Sequence, residues 1–200
     1  MSFNSSAAKV RDRDLPFRRR VGALHACVRF YAPLGHVVTL SLLTRLAGPY
    51  QKDEAALMRA LDLLVDGRAA RLRDQAAYAE RRTAAKLAGR RVPTVGDRDP
   101  VQDLWWHADP RGGALHALWY WRTKRFAHLT ATGHPVVLDL RRLMDECLAT
   151  GRLDPAGRRL LDGHVAALRR AESFDLGFGP LRDLLTVARH LATADDSAPA

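Results

Sequence analysis

The strongest helical signal in this chain is the segment DEAALMRALDLLVDGRAARLRDQAAYAERRTAAKLA, residues 53–88. Its first two residues, Asp53 and Glu54, are carboxylates, which stabilise the positively polarised first turn of a helix. Leucines follow at the three- and four-residue spacing of a buried helical face, at Leu57, Leu61 and Leu64. Residues 68–88 are rich in Ala, Leu and Arg, which favour helix. They either continue the same helix or form a second one after a break at Gly67.

Helical patterns fill most of the remaining chain. Apolar residues recur at helical spacing from Pro16 to about Tyr31, and Gly and Pro residues separate the runs that follow. We expect these further helices at residues 38–46, 114–132, 139–149, 155–171 and 181–193. Strand patterns are nearly absent, so the sequence predicts an all-α fold, an irregular bundle of about six to seven helices.

Composition divides the chain into five segments. We expect a flexible basic arm at residues 1–14, a basic helical half at 15–91, and a long central loop at 92–112 that is rich in Gly, Pro and Asp. A second helical half follows at 113–194, and a disordered tail closes the chain at 195–200. The loop is the only plausible boundary, and we expect the two halves to form one domain.

Length and composition exclude several classes of protein. The chain has 200 residues, 47% of them apolar, which is enough for a hydrophobic core without disulfides or a metal. The hydrophobic stretch at residues 36–43 is far shorter than the roughly 20 residues of a membrane span, and no signal-peptide pattern follows the N-terminus. Cys27 and Cys147 are too few for a disulfide framework or a cysteine-built zinc site. We therefore expect a cytoplasmic protein with no membrane contact, no metal and no cofactor.

Positive charge is concentrated in the first half of the chain. The formal net charge is +10; residues 1–91 hold 18 basic and 8 acidic side chains, whereas residues 92–200 hold 14 of each. A helical stripe of cations beside a mobile basic arm suits the phosphates of nucleic acid, although a solvated arginine-rich helix face would give the same pattern. The candidate contact residues are Arg18, Arg19, Arg20, Arg71, Arg82, Lys86, Arg90 and Arg91.

A helix-turn-helix is one specific form that nucleic-acid binding would take here. The predicted helix at 38–46, a glycine-containing turn and the following helix have the order that this motif needs. A recognition helix, however, presents Arg, Asn, Gln or Ser to base edges near its start, whereas this helix starts with Lys52, Asp53 and Glu54. An ordinary helical hairpin is the better interpretation, and we expect phosphate contacts rather than base reading.

Aromatic residues cluster in the second half. All four tryptophans lie within 17 residues. The spacing of Leu118, Trp119 and Phe126 predicts one face in the core. The opposite face, with His116 and Tyr120, suits an anionic aromatic ligand or an unpaired base, and packing against the preceding loop is the alternative. The candidate pocket residues are Trp105, Trp106, His107, His116, Tyr120, Trp121, Lys124 and Arg125.

The sequence contains no motif specific for catalysis, neither HExxH, nor a glycine-rich phosphate loop, nor GxSxG. We therefore expect a non-catalytic protein that binds a polyanion, with nucleic acid as the leading candidate. Two alternatives stay open. One is a small-molecule enzyme or sensor whose pocket is the aromatic segment 105–128. The other is a protein-interaction module or homo-oligomer, for which an exposed apolar patch would be the mark.

Overall fold

A computed structural model describes residues 1–93, 105–127, 134–172 and 179–196 of the chain. These ranges contain eight α-helices and no strand, which confirms the all-α class. The helices are α1 (Phe3–Arg11), α2 (Phe17–Phe30), α3 (His36–Ala47), α4 (Glu54–Leu87), α5 (Pro110–Tyr120), α6 (Pro135–Thr150), α7 (Pro155–Glu172) and α8 (Gly179–Asp196). A π-helical turn, Trp121–Arg125, continues α5.

Contacts divide the chain into two compact units, residues 1–103 and 104–200. Unit 1 contains α1 to α4, and unit 2 contains α5 to α8. Part of the predicted central loop, residues 94–104, lies outside the described residues, and its last three positions, 110–112, already belong to α5. The expectation that the two halves form one domain stays a prediction.

The N-terminal residues form helix α1, where the sequence analysis expected a flexible arm at 1–14. Ser2 and Ser5 cap it reciprocally: the Ser5 amide donates to Ser2 Oγ at 3.2 Å, and the Ser2 amide donates to Ser5 Oγ at 2.8 Å. One face of α1 is buried at helical spacing, at Phe3, Ser6, Ala7 and Val10. Since this helix packs on α2 and α4, burial orders the segment that composition alone suggested was mobile.

A buried arginine ties three helices of unit 1 together. Arg20 of α2 is 3% exposed. Its Nε–H donates to the carbonyl of Val10 in α1 at 2.8 Å, and its Nη1 donates to Glu54 Oε1 at the start of α4, also at 2.8 Å. The Val10 carbonyl lies in the last turn of α1, where carbonyls have no partner within the helix. Arg20 therefore caps the end of α1 and anchors the start of α4.

Helix α4 is continuous across Gly67, so the segment 68–88 continues the helix rather than starting a new one. Asp53 caps its start by accepting from the amides of Ala55 and Ala56 at 3.0 and 3.2 Å. A glycine inside a helix costs only about 1 kcal/mol relative to alanine, and the strong helix formers on both sides offset this cost. At 1.5 Å per residue, α4 is roughly 50 Å long.

Apolar burial holds only the first part of α4. The predicted stripe of Leu57, Leu61 and Leu64 is fully buried. Beyond Leu64, the only buried residues described in this helix are Gly67 and Arg82. The positions that continue the leucine spacing carry polar or half-buried side chains, at Arg68, Arg71, Gln75, Tyr78 and Arg82.

Unit 2 is built around α8, which contacts α5, α6 and α7. Its apolar core includes the fully buried residues Leu118, Leu140, Leu143, Met144 and Leu191. Helix α6 starts at Pro135, where His134 Nδ1 accepts from the amide of Val136 at 3.3 Å. It ends at Gly151, whose φ of 77° is a left-handed conformation that glycine adopts without strain.

Polar contacts fix the end of α8. The Asp195 carboxylate, whose side chain is 11% exposed, accepts from the Leu153 amide at 2.9 Å and from the Arg158 guanidinium. Asp195 and Asp196 therefore belong to α8, where the sequence analysis expected the start of a disordered tail. The remaining residues of that tail, 197–200, lie outside the described residues.

Candidate nucleic-acid interface

The distal end of α4 and the three residues after Ala88 form a basic surface on unit 1. Residues 68–91 contain eight basic and two acidic side chains. Five of these cations are exposed, and we call them the distal cations: Arg73, Arg81, Lys86, Arg90 and Arg91. Arg71, a predicted contact residue, is half-buried on the same helix.

Several carboxylates of unit 1 pair with cations away from this surface, whereas Asp74 and Glu80 lie on the same part of α4 as the distal cations. Four ion pairs lie among α1, α2 and the first part of α4: Arg11–Asp62, Arg13–Glu54, Arg20–Glu54 and Arg59–Asp53. In the described ranges, no carboxylate pairs with Arg73, Lys86 or Arg90. Their charge is therefore available to a ligand.

Arg82, another predicted contact residue, has a structural role at the end of α4. It is 9% exposed, and its Nη2 donates to the carbonyl of Arg91 at 2.8 Å. The chain reverses there because Gly89 adopts a φ of 80°. Two backbone hydrogen bonds, from Gly89 to Lys86 and from Arg90 to Ala85, complete a Schellman motif. Arg82 holds the reversed chain, and this contact places Arg90 and Arg91 beside the end of α4.

Two further predicted residues, Arg18 and Arg19, are exposed in the first turn of α2. Pro16 precedes this helix and gives it no side-chain cap. Cations at this end are repelled by the helix dipole, so the positive potential here is high. Arg20 follows directly but is buried, and its hydrogen bonds to Val10 and Glu54 remove it from the predicted contact set.

Four residues of the predicted aromatic pocket belong to the interior of unit 2. They are Trp106, His107, His116 and Trp121, which are 2%, 8%, 1% and 7% exposed. A Cβ atom on Gly113 would lie 2.4 Å from Trp106 Cβ, so the missing side chain lets Trp106 pack directly on α5. Trp105 is half-buried, and its Nε1–H donates to His107 Nδ1 at 3.1 Å.

The exposed face of α5 differs from the predicted one. Trp119, expected in the core, is 43% exposed, whereas His116, expected at a ligand site, is buried. The two rings pack together with centroids 5.5 Å apart. The buried face consists of Ala114, Ala117, Leu118 and Trp121, an equally regular i, i+3, i+4, i+7 stripe. Of the remaining predicted pocket residues, Tyr120 is half-buried, and Lys124 and Arg125 are exposed.

No protein-family model, curated protein or solved structure matches the chain. Within the described ranges, no three His, Cys, Asp or Glu side chains lie where they could share a metal ion. In the same ranges, no helix combines the length and apolar character needed to cross a membrane. Function is therefore inferred from surface chemistry.

A groove between α1 and α4 was missed by the sequence analysis, because α1 itself was not predicted. It has a volume of about 220 Å³. Arg68 closes one side by lying over the Phe3 ring, with its guanidinium carbon 4.7 Å from the ring centroid. The other lining residues include Ala7, Val65 and Leu72. The signal for this groove was the spacing of Phe3, Ala7 and Val10, which is that of a helix face.

Proposed function

We propose that this chain binds nucleic acid without catalysing a reaction on it, and that the distal cations contact the phosphate backbone. The observation that carries the proposal is the exposure of these five side chains in a segment with eight cations and two carboxylates. A surface of this kind gains affinity by releasing counterions from the nucleic acid. A cytoplasmic location stays a prediction.

The contacts of α4 favour phosphate binding over base reading. At its start, the carboxylate of Glu54 accepts from Arg20, and that of Asp53 caps the helix. This end carries negative charge and is fixed by internal contacts, so it does not suit insertion into a groove of DNA. At the other end, arginine and lysine side chains reach phosphates without sequence preference. We expect binding to duplexes of unrelated sequence with similar affinity.

Half of the residues predicted to line a small-molecule pocket are buried in the core of unit 2. Trp106, His107, His116 and Trp121 are buried, so they do not line a site open to a small molecule. Nucleic-acid binding keeps six of its eight predicted residues at exposed or half-buried positions, since only Arg20 and Arg82 are buried. This difference favours the polyanion proposal.

Fluorescence anisotropy with a labelled 20-base-pair duplex tests the proposal. The full chain is titrated at 50 and 200 mM salt and compared with the triple variant Lys86→Glu, Arg90→Glu, Arg91→Glu. We expect the wild type to bind in the micromolar range at low salt. The variant loses affinity, and its log-log salt slope falls by about 0.9 for each lost phosphate contact. Arg82 is left unchanged because it is a structural residue.

A charge-matched control separates a specific surface from net charge. Arg152→Glu, Arg159→Glu and Arg169→Glu change three exposed arginines of unit 2 and shift the net charge equally. This control is expected to retain most of the binding. Equal losses in both triple variants would mean that net charge alone acts, and no binding by the wild type at 50 mM salt would contradict the proposal.

A further inference from the structure

Trp119 is a large aromatic side chain on the surface of unit 2. It is 43% exposed, although aromatic rings of this size are usually buried for the free energy that their burial contributes. Its ring packs on the buried ring of His116, with planes 32° apart. The indole is therefore backed by the core on one side and open to solvent on the other. A ring held in this way is already ordered before a ligand arrives.

The backbone next to Trp119 departs from the α-helix. The amide of Phe126 donates to the carbonyl of Trp121, five residues earlier, at 2.9 Å, and residues 121–125 form a π turn. Turns of this type interrupt α-helices and occur frequently at functional sites. The Thr123 hydroxyl donates to the Trp119 carbonyl at 2.8 Å, which connects the π turn to the backbone of Trp119.

Cations follow Trp119 closely in the sequence. The π turn carries three of them in five residues, WRTKR, and residues 110–127 contain no Asp or Glu. Arg122 is fixed by two contacts with Asp145 on α6, at 2.6 and 3.3 Å. Lys124 and Arg125 are exposed, and the Arg125 guanidinium lies 5.4 Å from the Trp121 ring centroid. These two side chains supply positive charge five and six residues after Trp119, in the turns that follow it.

We infer that Trp119 is a stacking surface for an unpaired nucleobase, with Lys124 and Arg125, in the turns that follow, contacting other phosphates of the same strand. This inference rests on the proposed function and specifies it, because it names single-stranded nucleic acid as a ligand of unit 2. An exposed flat ring in a positively charged segment is typical of surfaces that bind a single strand without reading its sequence. In a duplex the bases are already stacked on one another, so this ring offers a duplex little.

The experiment compares a single strand with a duplex on the full chain. A labelled 20-nucleotide oligothymidine, its RNA counterpart and a 20-base-pair duplex are titrated at 50 mM salt against wild type, Trp119→Ala and Trp119→Phe. Stacking is worth roughly 1–3 kcal/mol per base, so Trp119→Ala is expected to lose about tenfold in single-strand affinity. Duplex affinity stays unchanged, and Trp119→Phe, which keeps a ring, retains most of the single-strand binding.

Tryptophan fluorescence gives a second readout that a structural role would not change. We expect oligothymidine to quench the emission of the wild type and to quench Trp119→Phe much less, although Trp119→Phe still binds. Circular dichroism and the thermal midpoint of each variant control for folding. Thymidine monophosphate is the remaining arm: quenching by it at the same concentrations as by the strand would assign the ring to a free nucleotide and overturn the inference.

The outcomes separate this inference from the proposed function. If Trp119→Ala binds the single strand as tightly as wild type while the α4 triple variant loses duplex binding, only the stacking inference is wrong. Equal losses of Trp119→Ala for strand and duplex also overturn it. If the wild type binds neither nucleic acid, both proposals fall.

Discussion

The guanidinium of Arg20 donates to the carboxylate of Glu54 across 34 residues of sequence, at 2.8 Å, with 4% of the arginine side chain and 52% of the glutamate side chain exposed. This hydrogen bond and the charge of Arg20 lower the pKa of Glu54 below its ordinary value. Because Arg20 also binds the Val10 carbonyl, one side chain connects α1, α2 and α4. Arg20, which the sequence analysis placed on the basic surface, therefore contributes to the stability of unit 1 instead.

Replacing this arginine is expected to destabilise unit 1. In Arg20→Ala the Val10 carbonyl loses its partner, and the packing of a buried side chain is lost, which together cost about 2–4 kcal/mol. Arg19→Ala is the matched control, since Arg19 is an exposed neighbour and such changes stay within about 0.5 kcal/mol. Urea denaturation followed by circular dichroism measures both. Equal stabilities would show that the Arg20 contacts contribute nothing.

His190 makes the stability of unit 2 depend on pH. It is completely buried in α8, and neither ring nitrogen has a hydrogen-bond partner among the residues that the structure describes. Burial disfavours the charged ring and lowers the pKa of His190 to about 4 from its ordinary value of 6.5. The unfolded chain therefore binds the proton more tightly than the folded chain, so stability is lost as the pH falls from 6.5 to about 4. The loss amounts to about 3–4 kcal/mol at roughly 1.4 kcal/mol per pKa unit.

His190→Leu isolates this effect. Leucine removes the two unpaired polar atoms, so the variant is expected to equal or exceed the wild-type stability at pH 7. Thermal midpoints at pH 7, 6, 5 and 4 are compared, and the gap between variant and wild type widens toward low pH. A gap that does not change with pH would exclude a role for His190 in acid sensitivity.

Arg158 contacts two carboxylates that differ in burial. We therefore expect their substitution to change the stability of unit 2 by different amounts. Asp195 has an 11% exposed side chain and also accepts from the Leu153 amide, whereas Asp162 lies 3.8 Å from Arg158 with 68% exposed. We expect Asp195→Ala to destabilise unit 2 by about 2–3 kcal/mol, because the shielded Leu153 amide loses its acceptor and Arg158 loses its more buried carboxylate. Asp162→Ala is expected to change stability by less than about 1 kcal/mol. Chemical denaturation of the full chain measures both, and a larger effect at Asp162 would contradict the geometry.

Two glycine-to-alanine substitutions in helices are expected to have opposite signs. At Gly113 the new Cβ would lie 2.4 Å from Trp106 Cβ, and overpacking of this kind costs about 1–3 kcal/mol. At Gly163 in α7 the new Cβ would meet no atom of a neighbouring element within 4 Å. Gly163→Ala is therefore expected to stabilise the helix by up to about 1 kcal/mol. Differential scanning calorimetry gives the two midpoints. A stabilised Gly113→Ala would mean that Trp106 does not pack against α5.

The sequence predicted α2, α3, α4 and most of unit 2 because their apolar spacing and capping residues agree. It failed at α1, whose face combines Phe3, Ala7 and Val10 with Ser6; small polar residues concealed the helical period. On α5 two stripes fit the helix equally well, and Trp106 packs on the side of the helix where Gly113 has no side chain. Spacing alone does not show which stripe has a neighbour to pack against.

The sequence predicted the candidate surface from the positions of its basic residues. The hydrogen bonds of the structure show which of these residues are used inside the fold. Arg20 and Arg82 have the same charge as their exposed neighbours, and only the carbonyls of Val10 and Arg91 show that they are engaged internally. Charge counting therefore finds where a basic surface is, but it does not identify the arginines that a folded chain uses for itself.

Because no leucine stripe holds α4 beyond Leu64, the charges of this segment influence its stability. Added salt therefore has two opposite effects here: it stabilises the helix and weakens the binding of phosphates. Like charges at Arg82 and Lys86 repel each other at four-residue spacing, which weakens the helix by a few tenths of a kcal/mol, and counterions relieve that repulsion. The same counterions compete with phosphates for the distal cations. A bound polyanion and a concentrated electrolyte thus substitute for each other as neutralising agents, so the end of α4 is most prone to fray in dilute buffer without ligand.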